Sequence, residues 1–121
     1  MHLLILLALI AASPAANAAT LRCTTAENCI NDHCNPVTDP DSAFLLINPN
    51  GLAPIMRSDD DTTMTKLTGD APMKWQGTQS LANDQIRISI TLTINPTDLT
   101  YALESFGEFG SGISTGKCKV R

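Results

Sequence analysis

Apolar and polar residues alternate without interruption from Ile86 to Ile94. Ile or Leu fills every even position, with Arg87, Ser89, Thr91 and Thr93 between them. A period of two sends successive side chains to opposite faces of a pleated strand. Branched residues suit that surface. The pattern predicts a strand with one wet face and one dry face, the dry side chains being Ile86, Ile88, Ile90, Leu92 and Ile94. Fully burying each is worth about 1.5–3 kcal/mol, so the strand needs a partner layer and is the natural centre of a fold.

The same period, in shorter pieces, runs through the rest of the chain. Thr20 to Thr25 reads as a first strand, with Leu21 and Cys23 on one face. Ala43 to Ile47 is an apolar run that fits a short buried strand. Asn48-Pro49-Asn50-Gly51 turns the chain, and Leu52 to Met56 returns, with Pro54 marking an edge or a bulge. Ser58-Asp59-Asp60-Asp61 is a charged turn. Met64 then alternates with Thr and Lys, and after a turn at Thr68 to Pro72, Met73 and Trp75 share a face. Ser80 to Asp84 is a short connection with room for one helical turn. Two stretches lack the pattern. Ala26 to Asp41 is rich in Asn, Asp and Pro around cysteines and reads as a stapled loop. Gly107 to Gly116 reads as a flexible loop followed by a glycine-softened strand.

After the central strand, Asn95-Pro96-Thr97-Asp98 is a four-residue turn leading into Leu99 to Leu103. Turn length sets register. Pairing Ile94 with Leu99 places Leu92 against Tyr101 and Ile90 against Leu103, all apolar and all on one face. Ile47-Asn48-Pro49-Asn50-Gly51-Leu52 repeats the pattern of Ile94-Asn95-Pro96-Thr97-Asp98-Leu99, which reads as convergent turn chemistry, the alternative being two related hairpin halves. With no helical period in the chain, the runs predict an all-β fold. We expect an antiparallel meander of about six to eight short strands, either a small closed or partly open barrel or a small sandwich.

Charge and cysteines narrow the picture. The chain begins with an apolar run, Leu3 to Ala12, too short to span a bilayer. Small residues and an Ala16-Asn17-Ala18 cleavage pattern follow, which reads as a signal peptide over residues 1–18 ahead of one domain over 19–121. No further stretch is long enough for a membrane span, so the expected location is periplasmic or secreted. The net charge of −4 excludes a general nucleic-acid binder and favours cationic partners. Cys23, Cys29, Cys34 and Cys118 are even in number and lie in an exported domain, so they read as two disulfides. Of three pairings we favour Cys29–Cys34 with Cys23–Cys118, over Cys23–Cys29 with Cys34–Cys118. The long closure would contribute about 4–5 kcal/mol and the short one about 2.

Candidate chemistry is sparse. His33 beside Cys34 would make a nucleophilic pair only with a free thiol. Cys23, Cys29, His33 and Cys34 lack the paired spacing of zinc sites. Asp59, Asp60 and Asp61 are consecutive, unlike the alternating ligands of a calcium loop. Glu104 and Glu108 are the one candidate pair of carboxylates for acid–base work. We expect no catalytic residues, no metal and no cofactor. The candidate binding loop is Phe106, Glu108, Phe109 and Ser111: an aromatic in a glycine-rich loop can be an interface contact, and it can equally be a plug that packs over an open barrel end.

Cys23-x5-Cys29-x4-Cys34 and the terminal Gly116-Lys117-Cys118, with a β meander between, carry a resemblance. The chain resembles small exported β-proteins of Gram-negative bacteria, particularly alphaproteobacteria. More distantly it is similar in size and layout to the periplasmic inhibitors of c-type lysozyme, small barrels with an N- to C-terminal disulfide. That likeness implies a loop with Ser and a basic residue that enters the lysozyme cleft. Ser111-Gly112-Ile113-Ser114 is the nearest counterpart and lacks the basic residue. The expected function is a non-catalytic envelope protein that binds a protein or small ligand. The alternative is a structural or assembly factor of the envelope, and a hydrolase using acidic residues comes last.

Overall fold

The structure is a computed structural model and describes residues 20–67, 73–81, 85–108 and 110–121. The expected signal peptide, the Thr68–Pro72 turn and Phe109 lie outside the described residues. Among the described residues, nine strands form one antiparallel sheet: β1 (Leu21–Ile30), β2 (His33–Pro36), β3 (Ala43–Ile47), β4 (Ile55–Arg57), β5 (Asp61–Lys66), β6 (Met73–Leu81), β7 (Ile86–Ile94), β8 (Thr100–Gly107) and β9 (Gly110–Val120). The order is β2-β1-β3-β4-β5-β6-β7-β8-β9, and β1 also pairs with β9. That last pairing closes eight strands into a barrel and leaves β2 as an extra strand beside the ring. Closure removes the free edges a small sheet would otherwise expose.

The alternation read in the sequence decides which faces turn inward. Leu21 and Cys23 of β1, Phe44 and Leu46 of β3, Met56, Met64, Trp75, Ile90, Leu92, Ile94, Tyr101 and Cys118 are all buried. Phe44 and Tyr101 meet edge to face, with ring centroids 5.2 Å apart. Trp75 Nε1 donates to the Pro49 carbonyl at 2.7 Å, which satisfies the polar atom of a fully buried ring. Both expected disulfides are present, Cys23–Cys118 and Cys29–Cys34. Each joins residues directly opposite one another, the first across the β1–β9 seam and the second across β1–β2.

Four expectations change. The segment from Ala26 is not a loop: β1 continues to Ile30 and turns at Asn31-Asp32 into β2. Both turn residues have positive φ, 47° and 72°. Asn and Asp tolerate that conformation and so support a two-residue hairpin turn. The segment from Gly107 to Gly116 is mostly strand: β9 starts at Gly110 and is held on both sides, by β8 and by β1. Pro54 lies just ahead of β4 rather than on an edge, for β4 pairs with both β3 and β5, and the Pro54 carbonyl accepts the Met64 N–H at 2.8 Å.

The fourth change is the β7–β8 register. Ile94 faces Tyr101 and Leu92 faces Leu103, two residues on from the expected pairing. The turn is longer because Leu99 adopts φ 60° and donates to the Asn95 carbonyl, while Asn95 N–H bonds the Thr100 carbonyl. An even slip keeps every side chain on its face, so the core composition stands.

Core and strands do not extend equally. β3, β4 and β5 are short, and β1, β6, β7, β8 and β9 run past them. A bulge between Thr25 and Glu27 bends β1 where this begins. The barrel therefore has a lower end, with Thr20, Arg121 and the β3–β4 and β7–β8 turns, and an upper end where hairpins rise beyond the core. Ile86 and Ile88, expected in the core, sit on this extension and are only half-buried.

Candidate functional site

The upper extension leaves an inward-facing sheet surface with no core behind it. Strand parity puts Ile86 and Ile88 of β7, Ser105 and Gly107 of β8, Gly110 and Gly112 of β9, and Ile30 of β1 on that surface. They line a trough of about 280 Å3 together with Glu108 and Ser111. The glycines have no side chains to fill it, and the isoleucines on either side supply apolar walls. Ile30 is 66 % exposed.

The walls are held in place. Asn31, in the β1–β2 turn, donates its N–H to the Ser111 carbonyl at 3.1 Å, and its Oδ1 accepts the Ser111 N–H at the same distance. Ser114 Oγ donates to Asn28 Oδ1 at 2.5 Å. The Cys29–Cys34 disulfide braces the β1–β2 hairpin from its outer face. Groups fixed before binding lose less entropy on binding.

Of the expected loop residues, Glu108 and Ser111 border the trough. Phe106, between the trough-facing Ser105 and Gly107, points to the outer face and is exposed. Phe109 lies outside the described residues. Sequence reading missed Ile30, Ile86, Ile88 and the glycine floor. The available cue was strand length: the central alternation is longer than the apolar run from Ala43 to Ile47 that was expected to pack in the same core.

Other candidates come apart. Cys29 and Cys34 lie close to Glu27, yet both sulfurs are in a disulfide, so neither offers a thiolate to a metal. Asp61 is engaged by Arg57, whose Nε and Nη2 donate to its two carboxylate oxygens at 2.8 and 3.0 Å. The hydrogen bond from Arg57 holds the Asp61 carboxyl below its ordinary range, and Asp61 raises Arg57 in turn. Of the three consecutive acids, Asp61 is thus held in a salt bridge. Glu104 pairs with Thr91 and Ile113 on the outer face, whereas Glu108 lies past the end of β8 and borders the trough.

Charges of both signs occur along the barrel. Glu27, Asp32, Asp59, Asp60, Asp61 and Glu108 lie in or beside the upper turns, and Arg57 and Arg87 lie at that end with them. Lys66, Lys74, Lys117, Lys119 and Arg121 lie toward the lower end, where Asp98 is the acid of the β7–β8 turn. No protein-family model, curated protein or solved structure matches this chain.

Proposed function

We propose that this is a non-catalytic exported protein of the bacterial cell envelope that binds a cationic partner protein through the upper trough. The observation that carries this reading is the trough itself, apolar, braced and bordered by acids. Two disulfides support an oxidising, periplasmic or extracellular setting. Trp75, Leu46, Met64, Leu92 and Ile94 fill the barrel, which favours binding at an end over a ligand held inside. Apolar walls supply contact area, while Asp32 and Glu108 steer a basic surface into register.

The inhibitor-like version is one form of this reading. Ser111 to Ser114 is strand between two neighbours, so any such contact uses the hairpin tips instead. A panel of c-type lysozymes tests that version, and absence of inhibition at micromolar protein removes it. The broader reading is tested with Ile30→Lys, which sits on an exposed wall and leaves the core intact. A partner recovered from an envelope extract should bind this variant about tenfold more weakly or worse. An extract in which wild type retains nothing that the variant loses overturns the reading.

A further inference from the structure

The lower end carries a second apolar recess, separate from the trough and not needed for its function. Pro49, from the β3–β4 turn, and Pro96, from the β7–β8 turn, line it with Met73, Leu99 and Val120, and its volume is about 270 Å3. Leu21 and Trp75 lie beneath, both buried. These two prolines belong to the repeated Ile-Asn-Pro turns, which differ in geometry: Asn48 takes positive φ in one and Leu99 in the other. Different turns thus deliver the same rigid apolar residue to one recess.

The edge of the recess is cationic. Lys66 Nζ lies 5.8 Å from the centroid of the Trp75 ring and donates to Asn50 Oδ1, and Asn50 also lines the recess. Lys117, Lys119 and Arg121 are exposed at this end. Among the described residues of the turns at this end, the carboxylate is Asp98, which accepts from Thr100 N–H at 3.0 Å and from Thr100 Oγ1 at 2.8 Å. Those hydrogen bonds hold it below the ordinary carboxylate range.

We infer that the recess binds a single-chain anionic amphiphile, a medium-length alkyl carboxylate in chemical class, with the chain on the apolar floor and the head group at Lys66. The volume is at the small end for ligand sites and suits one short chain. The charge of this end selects an anion over a cation.

The chain's one tryptophan reports on the site directly. Decanoate, decanol and decyltrimethylammonium are titrated below their micellar concentrations, following Trp75 fluorescence and binding heat. Decanoate should give a saturable one-to-one response, about threefold to fivefold tighter than decanol, and the cation should be weakest. Lys66→Gln should erase the preference for decanoate over decanol and keep decanol binding. Val120→Glu should weaken decanoate, and Ile30→Lys at the other end should leave it unchanged, so this site and the trough succeed or fail separately. No saturable response, equal binding of anion and cation, or a preference that survives Lys66→Gln overturns the inference.

Discussion

Gly116 has the least room of the glycines on β9. A Cβ there would press into the Thr24 carbonyl oxygen and come within 2.7 Å of Tyr101 Cε2. Gly116→Ala should destabilise the protein by about 3 kcal/mol or more in denaturant unfolding, as overpacking beside backbone does. Gly107→Ala, whose nearest atom would be Ile88 Cγ1 at 3.4 Å, should change stability by about 1 kcal/mol or less. Gly116 leaves space for Tyr101 to reach Thr25, and their hydroxyls lie 2.8 Å apart. Burial raises the Tyr101 pKa and the Thr25 hydrogen bond partly opposes that. The raised value means stability is intact below the unfolded value of about 10 and is lost as pH rises through the folded value. Tyr101 is the one tyrosine, so tyrosinate absorbance follows it cleanly. Thr25→Val should move that titration to higher pH. None of this was legible in the sequence, where Gly116 closes a glycine-rich run that looks mobile. The space around a glycine depends on strands far away in the chain.

At the scale of elements, legibility followed alternation. β3 and β7 have the bounds their patterns predict, because every apolar side chain in them meets a half-buried or buried surface. β9 breaks the rule, since glycine and serine occupy the inward positions of its upper half. β1 past the bulge breaks it as well, because nothing packs behind Asn28 and Ile30. The register of β7–β8 escaped because a leucine in left-handed conformation is uncommon and carries no sequence mark. The two disulfides differ in access. Cys34 is exposed and Cys29 half-buried, whereas Cys23 and Cys118 are 0 % and 3 % exposed. Mild reductant followed by alkylation and mass mapping should open Cys29–Cys34 first, with the barrel still folded by circular dichroism. Reduction of both bonds together, in a single step, would contradict a separately accessible staple.

The whole molecule is organised by closure. β1 and β9 share the longest pairing of the first strand, and Cys23–Cys118 spans 95 positions of sequence. Replacing both cysteines of that pair by serine should cost about 4–5 kcal/mol from the gain in unfolded-chain entropy, read as a lower denaturant midpoint. The Cys29 and Cys34 double replacement should cost about 2 kcal/mol. Fold class and pairing were readable because short turns and an even cysteine count leave few arrangements. The trough was not, because it depends on which strands outrun the core.

The seam between β1 and β9 also sets the order of assembly. Synthesis delivers β1 first and β9 last, so the strand that must be joined on its β9 edge waits for almost the whole chain. During that wait Cys23 faces Cys29 and Cys34 with its proper partner not yet made. The tight Asn31-Asp32 turn draws Cys29 and Cys34 together within a single hairpin, on the fast timescale of local contacts. By taking each other, they remove the two nearest wrong partners and leave Cys23 unclaimed until Cys118 arrives. A Cys29–Cys34 bond formed first leaves Cys23 with Cys118 as its one remaining partner.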